Sequence, residues 1–158
     1  MKALMVCVVL LSCVVSFGQE KFGDWYYIEG RDSFTDVFSQ SIFTMNGNKM
    51  LTVHRQGDRG GVIYFWGKSL MVGRNNTIAI QHRVDKKAVL SWGLCVGNAS
   101  GGLADNGGGL DLERIAGDMI GGSSVIVRVT DARDGETVDT RFSLKGFDEA
   151  LRKLVGKK

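Results

Sequence analysis

Two histidines, three cysteines and a scatter of aromatic residues are the side chains of this 158-residue chain whose chemistry would repay positioning. Acid–base catalysis near neutral pH calls for an imidazole or a tuned carboxylate converging with a second group. His82 is in phase with Ile78, Ile80 and Val84. Strand alternation therefore turns it inward among apolar neighbours, where a neutral, hydrogen-bonded imidazole is expected. The enzymatic alternative is a small hydrolase built on His82 and a carboxylate. His54 shares a strand face with Met50 and Thr52 and is expected at the surface. No His-x-His, His-Glu-x-x-His or Cys-x-x-Cys spacing occurs, so a zinc site is not expected. The chain has no Gly-x-Ser-x-Gly elbow, and Asp131-Ala132-Arg133-Asp134-Gly135 lacks the further ligands and terminal Glu of a calcium loop. The reading is therefore non-enzymatic, with no cofactor and no metal.

The aromatics point to binding instead. Trp25, Tyr26 and Tyr27 are consecutive, so a strand sends Trp25 and Tyr27 to one face and Tyr26 to the other. Tyr64 and Trp66 share a face in a later run, and Phe65 takes the opposite one. One set must fill the core. If the other stands exposed on a rigid sheet, it makes an anchor surface for a partner. The surface expected on this ground is Trp25, Tyr27, Tyr64 and Trp66, with a glycine-rich loop at its rim.

The compartment follows from the first residues. Met1-Lys2 is a short positive start, Ala3 to Val15 is nearly unbroken apolar, and Ser16 and Gly18 place small residues two apart before Gln19-Glu20-Lys21. That is the pattern of a signal peptide over 1–18, leaving 19–158 as one exported domain, periplasmic or secreted. Leu10-Leu11-Ser12-Cys13 offers the alternative of a lipobox, with lipidation at Cys13 and a membrane-anchored lipoprotein. Either cut leaves Cys95 as the one thiol in the domain, so no internal disulfide is expected. Its apolar segment makes Cys95 a buried small hydrophobe.

A domain of this size buries a core without metals or bridges. Its hydrophobic content of 44% is that of a globular protein, and its formal charge of +3 is scattered, which does not suggest nucleic-acid binding. With 22 glycines and no proline, the chain suits tight hairpins. Strand-length runs recur at Asp24 to Glu29, Ser41 to Met45, Met50 to Arg55, Val62 to Trp66, Thr77 to Val84 and Ala88 to Trp92. Turn residues separate them, Asn46-Gly47-Asn48 most clearly. From Gly97 to Gly109 the chain reads as a glycine-rich connector rather than a phosphate loop, because no Gly-Lys-Ser/Thr follows.

Beyond it, Leu112, Ile115, Ala116 and Met119 fall at helical spacing, with Asp111 as the expected cap and Gly121-Gly122 as the stop. A second hairpin alternates Val125, Val127 and Val129 with Arg128, and Val138, Thr140 and Phe142 with Asp139 and Arg141. The chain closes on a helix whose stripe is Phe147, Ala150, Leu151, Leu154 and Val155. The fold class expected is mainly β, an antiparallel β-sandwich or meander with two short packed helices, one of them C-terminal.

Two short segments add a resemblance. Phe22-Gly23-Asp24-Trp25 resembles the Gly-Asp-Trp entry of the invasion-associated locus B family, and Ser143-Leu144-Lys145-Gly146-Phe147 with Ala150 resembles that family's closing segment. The resemblance implies a small exported β-rich protein of Gram-negative bacteria, linked to host-cell invasion or envelope function, in a family without an established catalytic activity. The function expected is a non-enzymatic envelope binding protein acting through a protein partner. The alternative within binding is an inhibitor of an envelope-attacking enzyme such as a lysozyme.

Overall fold

A computed structural model describes residues 14–32, 36–56, 59–65, 77–97, 101–104, 110–131 and 134–156. Within these residues ten strands run β1 (Val14–Phe22), β2 (Trp25–Asp32), β3 (Phe38–Asn46), β4 (Lys49–Gln56), β5 (Arg59–Phe65), β6 (Thr77–Val84), β7 (Leu90–Gly97), β8 (Gly101–Ala104), β9 (Ser124–Thr130) and β10 (Thr137–Ser143). Among the described residues, two helices, α1 (Leu110–Met119) and α2 (Phe147–Gly156), stand before β9 and after β10. All strand pairs are antiparallel, in the order β1-β2-β3-β4-β5-β8-β7-β6-β9-β10. The first five strands are a meander of sequential neighbours, as their short turn-separated runs require.

The sheet folds over so that its two halves face each other as the layers of a sandwich. Tyr64 on β5 meets Phe142 on β10 edge to face, with ring centroids 6.0 Å apart. The Trp25 indole N–H on β2 donates to the Ser143 carbonyl on β10 at 2.9 Å. Side chains between the layers form one buried cluster that includes Ile42, Leu51, Val53, Val62, Ile80, Val127 and Phe142. Both helices lie on this inner side. Ile115, Ala116 and Met119 of α1 and Phe147, Ala150 and Leu154 of α2 are buried in the same cluster. Their helical spacing puts each trio on one stripe, and burial of that stripe holds helices too short to persist alone.

The alternation on β9 and β10 is as the residues predict. Val125, Val127, Val129, Thr140 and Phe142 are buried, and Arg128, Asp139 and Arg141 are exposed. Arg128 and Asp139 sit directly opposite and pair through two 2.7 Å hydrogen bonds, which raises the guanidinium pKa and lowers that of the carboxyl. Gly47, with φ of 62°, makes the Asn46-Gly47-Asn48 turn between β3 and β4. Gly121, with φ of 69°, ends α1 where expected.

Three expectations are corrected. Gly101–Ala104, within the expected connector, is strand β8, paired with both β5 and β7. Its main-chain groups complete the sheet between two strands distant in sequence, a role that needs backbone and no side-chain pattern. The α1 helix starts at Leu110, one residue before the expected cap at Asp111. His54 is half-buried on the outer face of β4 rather than exposed.

β1 was not visible as a strand. It pairs along its length with β2, from Val14 opposite Asp32 to Phe22 opposite Trp25, and so spans the expected cleavage point at Gly18. Cys13, Trp66 and most of the glycine-rich segment lie outside the described residues, and Cys95 falls within β7.

Candidate functional site

The expected aromatic anchor surface is inverted. Trp25 and Tyr64 are 0% exposed and Tyr27 is 2% exposed, so all three belong to the core. The alternation is as read, but its polarity is opposite: the face carrying Trp25, Tyr27 and Tyr64 is the one closed by the opposing layer and the helices. The physical reason is volume. The space between two layers and two helices takes the largest rings, whose burial is worth most.

Each buried ring with a polar tip has a partner. The Trp25 ring packs against Phe147 at 4.8 Å between centroids, in an edge arrangement. The Tyr64 hydroxyl and the Thr140 hydroxyl lie 2.6 Å apart, and burial raises the Tyr64 pKa. The Tyr27 hydroxyl donates to the Glu29 carboxylate at 2.6 Å and accepts from the Gln40 amide at 2.7 Å. Burial, reinforced by the Glu29 bond, pushes the Tyr27 pKa up to about 12.

His82 is also inward, as its phase predicts, and is 1% exposed. The Trp92 indole N–H donates to His82 Nδ1 at 2.7 Å. Indole nitrogen only donates, so Nδ1 is the acceptor and the proton resides on Nε2. Nε2 then donates to the Asp118 carboxylate on α1 at 2.8 Å. Burial lowers the His82 pKa, opposed by Asp118 and assisted by Arg114 and Lys87. Both ring nitrogens are engaged within the protein, so neither faces a substrate in this arrangement. The chain Trp92–His82–Asp118 ties β7, β6 and α1 together. Among the described residues, no group of three or more His, Cys, Asp or Glu side chains is placed to hold a metal ion.

Aromatic and apolar residues remain partly accessible on the outer face of β2 to β5, while Val37, Phe38, Val89, Ile120 and Val155 are exposed elsewhere. Tyr26, Phe43, Thr52 and Ile63 stand opposite one another across four strands. Met45, Met50 and Phe65 form a second row beside them. Tyr26 and Phe43 stack at 5.3 Å with an interplanar angle of 20°, and Lys21 Nζ stands 5.2 Å from the Tyr26 ring centre. Met45 is 39% exposed, and Tyr26, Phe43, Met50, Ile63 and Phe65 are half-buried. Both helices bury their apolar stripes on the opposite side of the sheet.

At one end of this face, an open cleft of about 400 Å³ lies between β10 and the ends of the β1–β2 and β3–β4 hairpins. Lys21, Asp24, Tyr26, Met45, Asn46 and Arg141 are among the residues lining it.

The cleft walls are held by the two segments that stood out in the sequence. The Asp24 N–H donates to the Lys145 carbonyl at 2.9 Å, and the Thr44 hydroxyl donates to the Asp24 carbonyl at 2.9 Å. Gly23 and Gly146 both have positive φ, of 56° and 86°. A Cβ on Gly23 would strike the Lys145 carbonyl, and one on Gly146 would strike the Phe22 carbonyl. Gly-Asp-Trp near the start and Ser-Leu-Lys-Gly-Phe near the end are thus two halves of one backbone clasp. The Asn46 side chain closes the third side, donating to the Arg141 carbonyl at 2.8 Å.

Compared with known proteins, the chain matches no family model, no curated protein and no solved structure. Sequence reasoning placed Tyr26 and Phe65 on the face opposite the chosen anchors, which was the available signal for the outer surface. It missed the cleft, whose lining residues come from β1, β2, β3 and β10.

Proposed function

We propose that this protein is an exported, non-enzymatic binding module of the cell envelope, released by cleavage after Gly18, that engages a protein partner through the outer face of β2 to β5. The observation that carries this reading is the Tyr26–Phe43 stack. It sits with Met45, Met50, Ile63 and Phe65 on a rigid four-strand surface that neither helix covers. Aromatic side chains on a fixed backbone give up little conformational freedom on binding, and methionines adapt their shape to a partner, which suits such a surface as an anchor. Lys21 and Arg141 beside it favour a partner surface in which apolar residues are bordered by carboxylates.

The test is a crosslinked pull-down of the protein from the envelope fraction of its own host, read by mass spectrometry. It compares the natural chain with the double variant Tyr26→Ala, Phe43→Ala. One dominant partner captured by the natural chain and lost from the variant, with the thermal midpoint kept, supports the reading. Equal capture by both chains overturns it.

A further inference from the structure

The cleft beside Tyr26 is lined by charge that the protein itself does not neutralise. Among the described residues, Lys21, Asp24 and Arg141 have no ion-pair partner. By contrast, exposed Arg128 and half-buried Lys153 are paired, with Asp139 and Glu20 respectively, each at 2.7 Å. Lys21 belongs to β1 and Arg141 to β10, the two edge strands of the sheet. They line one cleft because the Gly23–Gly146 clasp brings those edges together. The walls are held by backbone and buried contacts, so the charged groups stand over a preorganised floor of Tyr26, Met45 and Phe142.

We propose that this cleft is a binding site for a carboxylate carried on a peptide segment of the partner, held between Lys21 and Arg141, with Asp24 receiving a neighbouring N–H. The lining supplies two cations and one carboxylate, a net charge of +1 from 2 − 1. That balance matches a monoanion with an adjacent donor. A phosphate dianion brings a second negative charge toward Asp24 and has no N–H to offer it. Peptide carries both groups a few ångströms apart in every Asp or Glu residue and its flanking amides. The apolar floor accepts the stem of the acidic residue or its neighbour. This rests on the binding-module reading and names the chemistry of the partner's contact.

The test is a two-dimensional NMR titration of the full chain as its host produces it, at low salt. The probes are an acetylated, amidated tetraglutamate peptide, its tetraglutamine counterpart and inorganic phosphate. The expected result is saturable shifts at Lys21, Asp24, Tyr26 and Arg141 with tetraglutamate, and none with tetraglutamine. Arg141→Gln and Lys21→Gln each weaken binding by about tenfold, the loss of one charge-assisted contact. Arg83→Gln, an exposed cation elsewhere on the sheet, leaves it unchanged. Binding also weakens as salt is added.

Equal binding of tetraglutamine, tighter binding of phosphate than of tetraglutamate, or unchanged affinity in both cation variants overturns the assignment. Arg141 and Lys21 are exposed, so neither substitution removes a core contact. If the pull-down succeeds and this titration fails, the module stands and only the carboxylate site falls. If the pull-down fails and the titration succeeds, the site stands and the outer-face reading falls.

Discussion

Burial keeps His82 neutral, and Trp92 decides which of its ring nitrogens carries the proton. An indole N–H 2.7 Å from Nδ1 leaves no room for a second proton there, and burial already disfavours the imidazolium. The folded state therefore takes up a proton at His82 less readily than the unfolded chain, whose imidazole titrates near ~6.5. Stability contributed by neutral His82 is fully present above that pH and is lost as pH falls below it toward the lowered folded value. Thermal midpoints measured from pH 8 to pH 5 should fall on acidification, and His82→Gln should flatten that slope. At pH 8 the same substitution should cost about 1–3 kcal/mol, because it disturbs a buried donor–acceptor chain. A slope unchanged in the variant would mean that another group sets the acid limit. The inward phase of His82 was legible in its strand. Its partner Asp118 lies 36 residues away on another element, and no local pattern connects them.

At the scale of elements, the feature with most consequence is the clasp between the β1–β2 turn and the β10–α2 turn. Both glycines combine positive φ with a neighbouring backbone where a side chain would sit. Gly47 also has positive φ, of 62°, but nothing within 4 Å of its missing Cβ. The pair separates conformational strain from collision. Gly47→Ala should cost only the left-handed penalty of about 1 kcal/mol. Gly146→Ala adds the displacement of Phe22 and should lose clearly more, about 3 kcal/mol or above by chemical denaturation. Equal losses would show that the turns yield freely and that the clasp holds nothing.

The clasp also answers an edge problem. β10 is a terminal strand of the sheet, and two of its outward carbonyls, at Arg141 and Ser143, are taken by the side chains of Asn46 and Trp25. Such capping blunts a surface that would otherwise recruit another strand. Sequence alternation located β2 to β7, β9 and β10 and both helices. It did not locate β8, because four residues of Gly-Gly-Leu-Ala carry neither alternation nor β-branching.

For the molecule as a whole, the proposed cleavage after Gly18 would fall within β1. Cleavage after Gly18 would leave Gln19–Phe22 paired with Trp25–Ile28 and tethered to α2 by the 2.7 Å Lys153–Glu20 ion pair. It would remove the β1 residues opposite Glu29, Gly30, Arg31 and Asp32. Amide hydrogen exchange on the mature protein should then run faster at Gly30 and Arg31 wherever an amide faces β1 than at the paired amides of Tyr26–Ile28. Equal protection along β2, or an intact mass that retains Val14–Phe17, would place the mature start earlier. Cys13 is the alternative site, and an acyl mass on the N-terminal residue would identify it.

What the chain determined by itself was local. Periods of two and near 3.6, with glycine at the turns, specified a mainly β protein with two packed helices, and the phase of each segment said which residues share a face. Which face became the interior was settled only in the tertiary structure. A strand with rings on both sides carries no sign of its own, and the choice depends on where the other layer and the helices come to lie. That choice buried Trp25, Tyr27 and Tyr64 and left Tyr26 and Phe43 accessible. The cleft of Lys21 and Arg141 belongs to the same level. Its residues stand 120 positions apart, from 141 − 21, and share a site because two edge strands are drawn together through a pair of glycines.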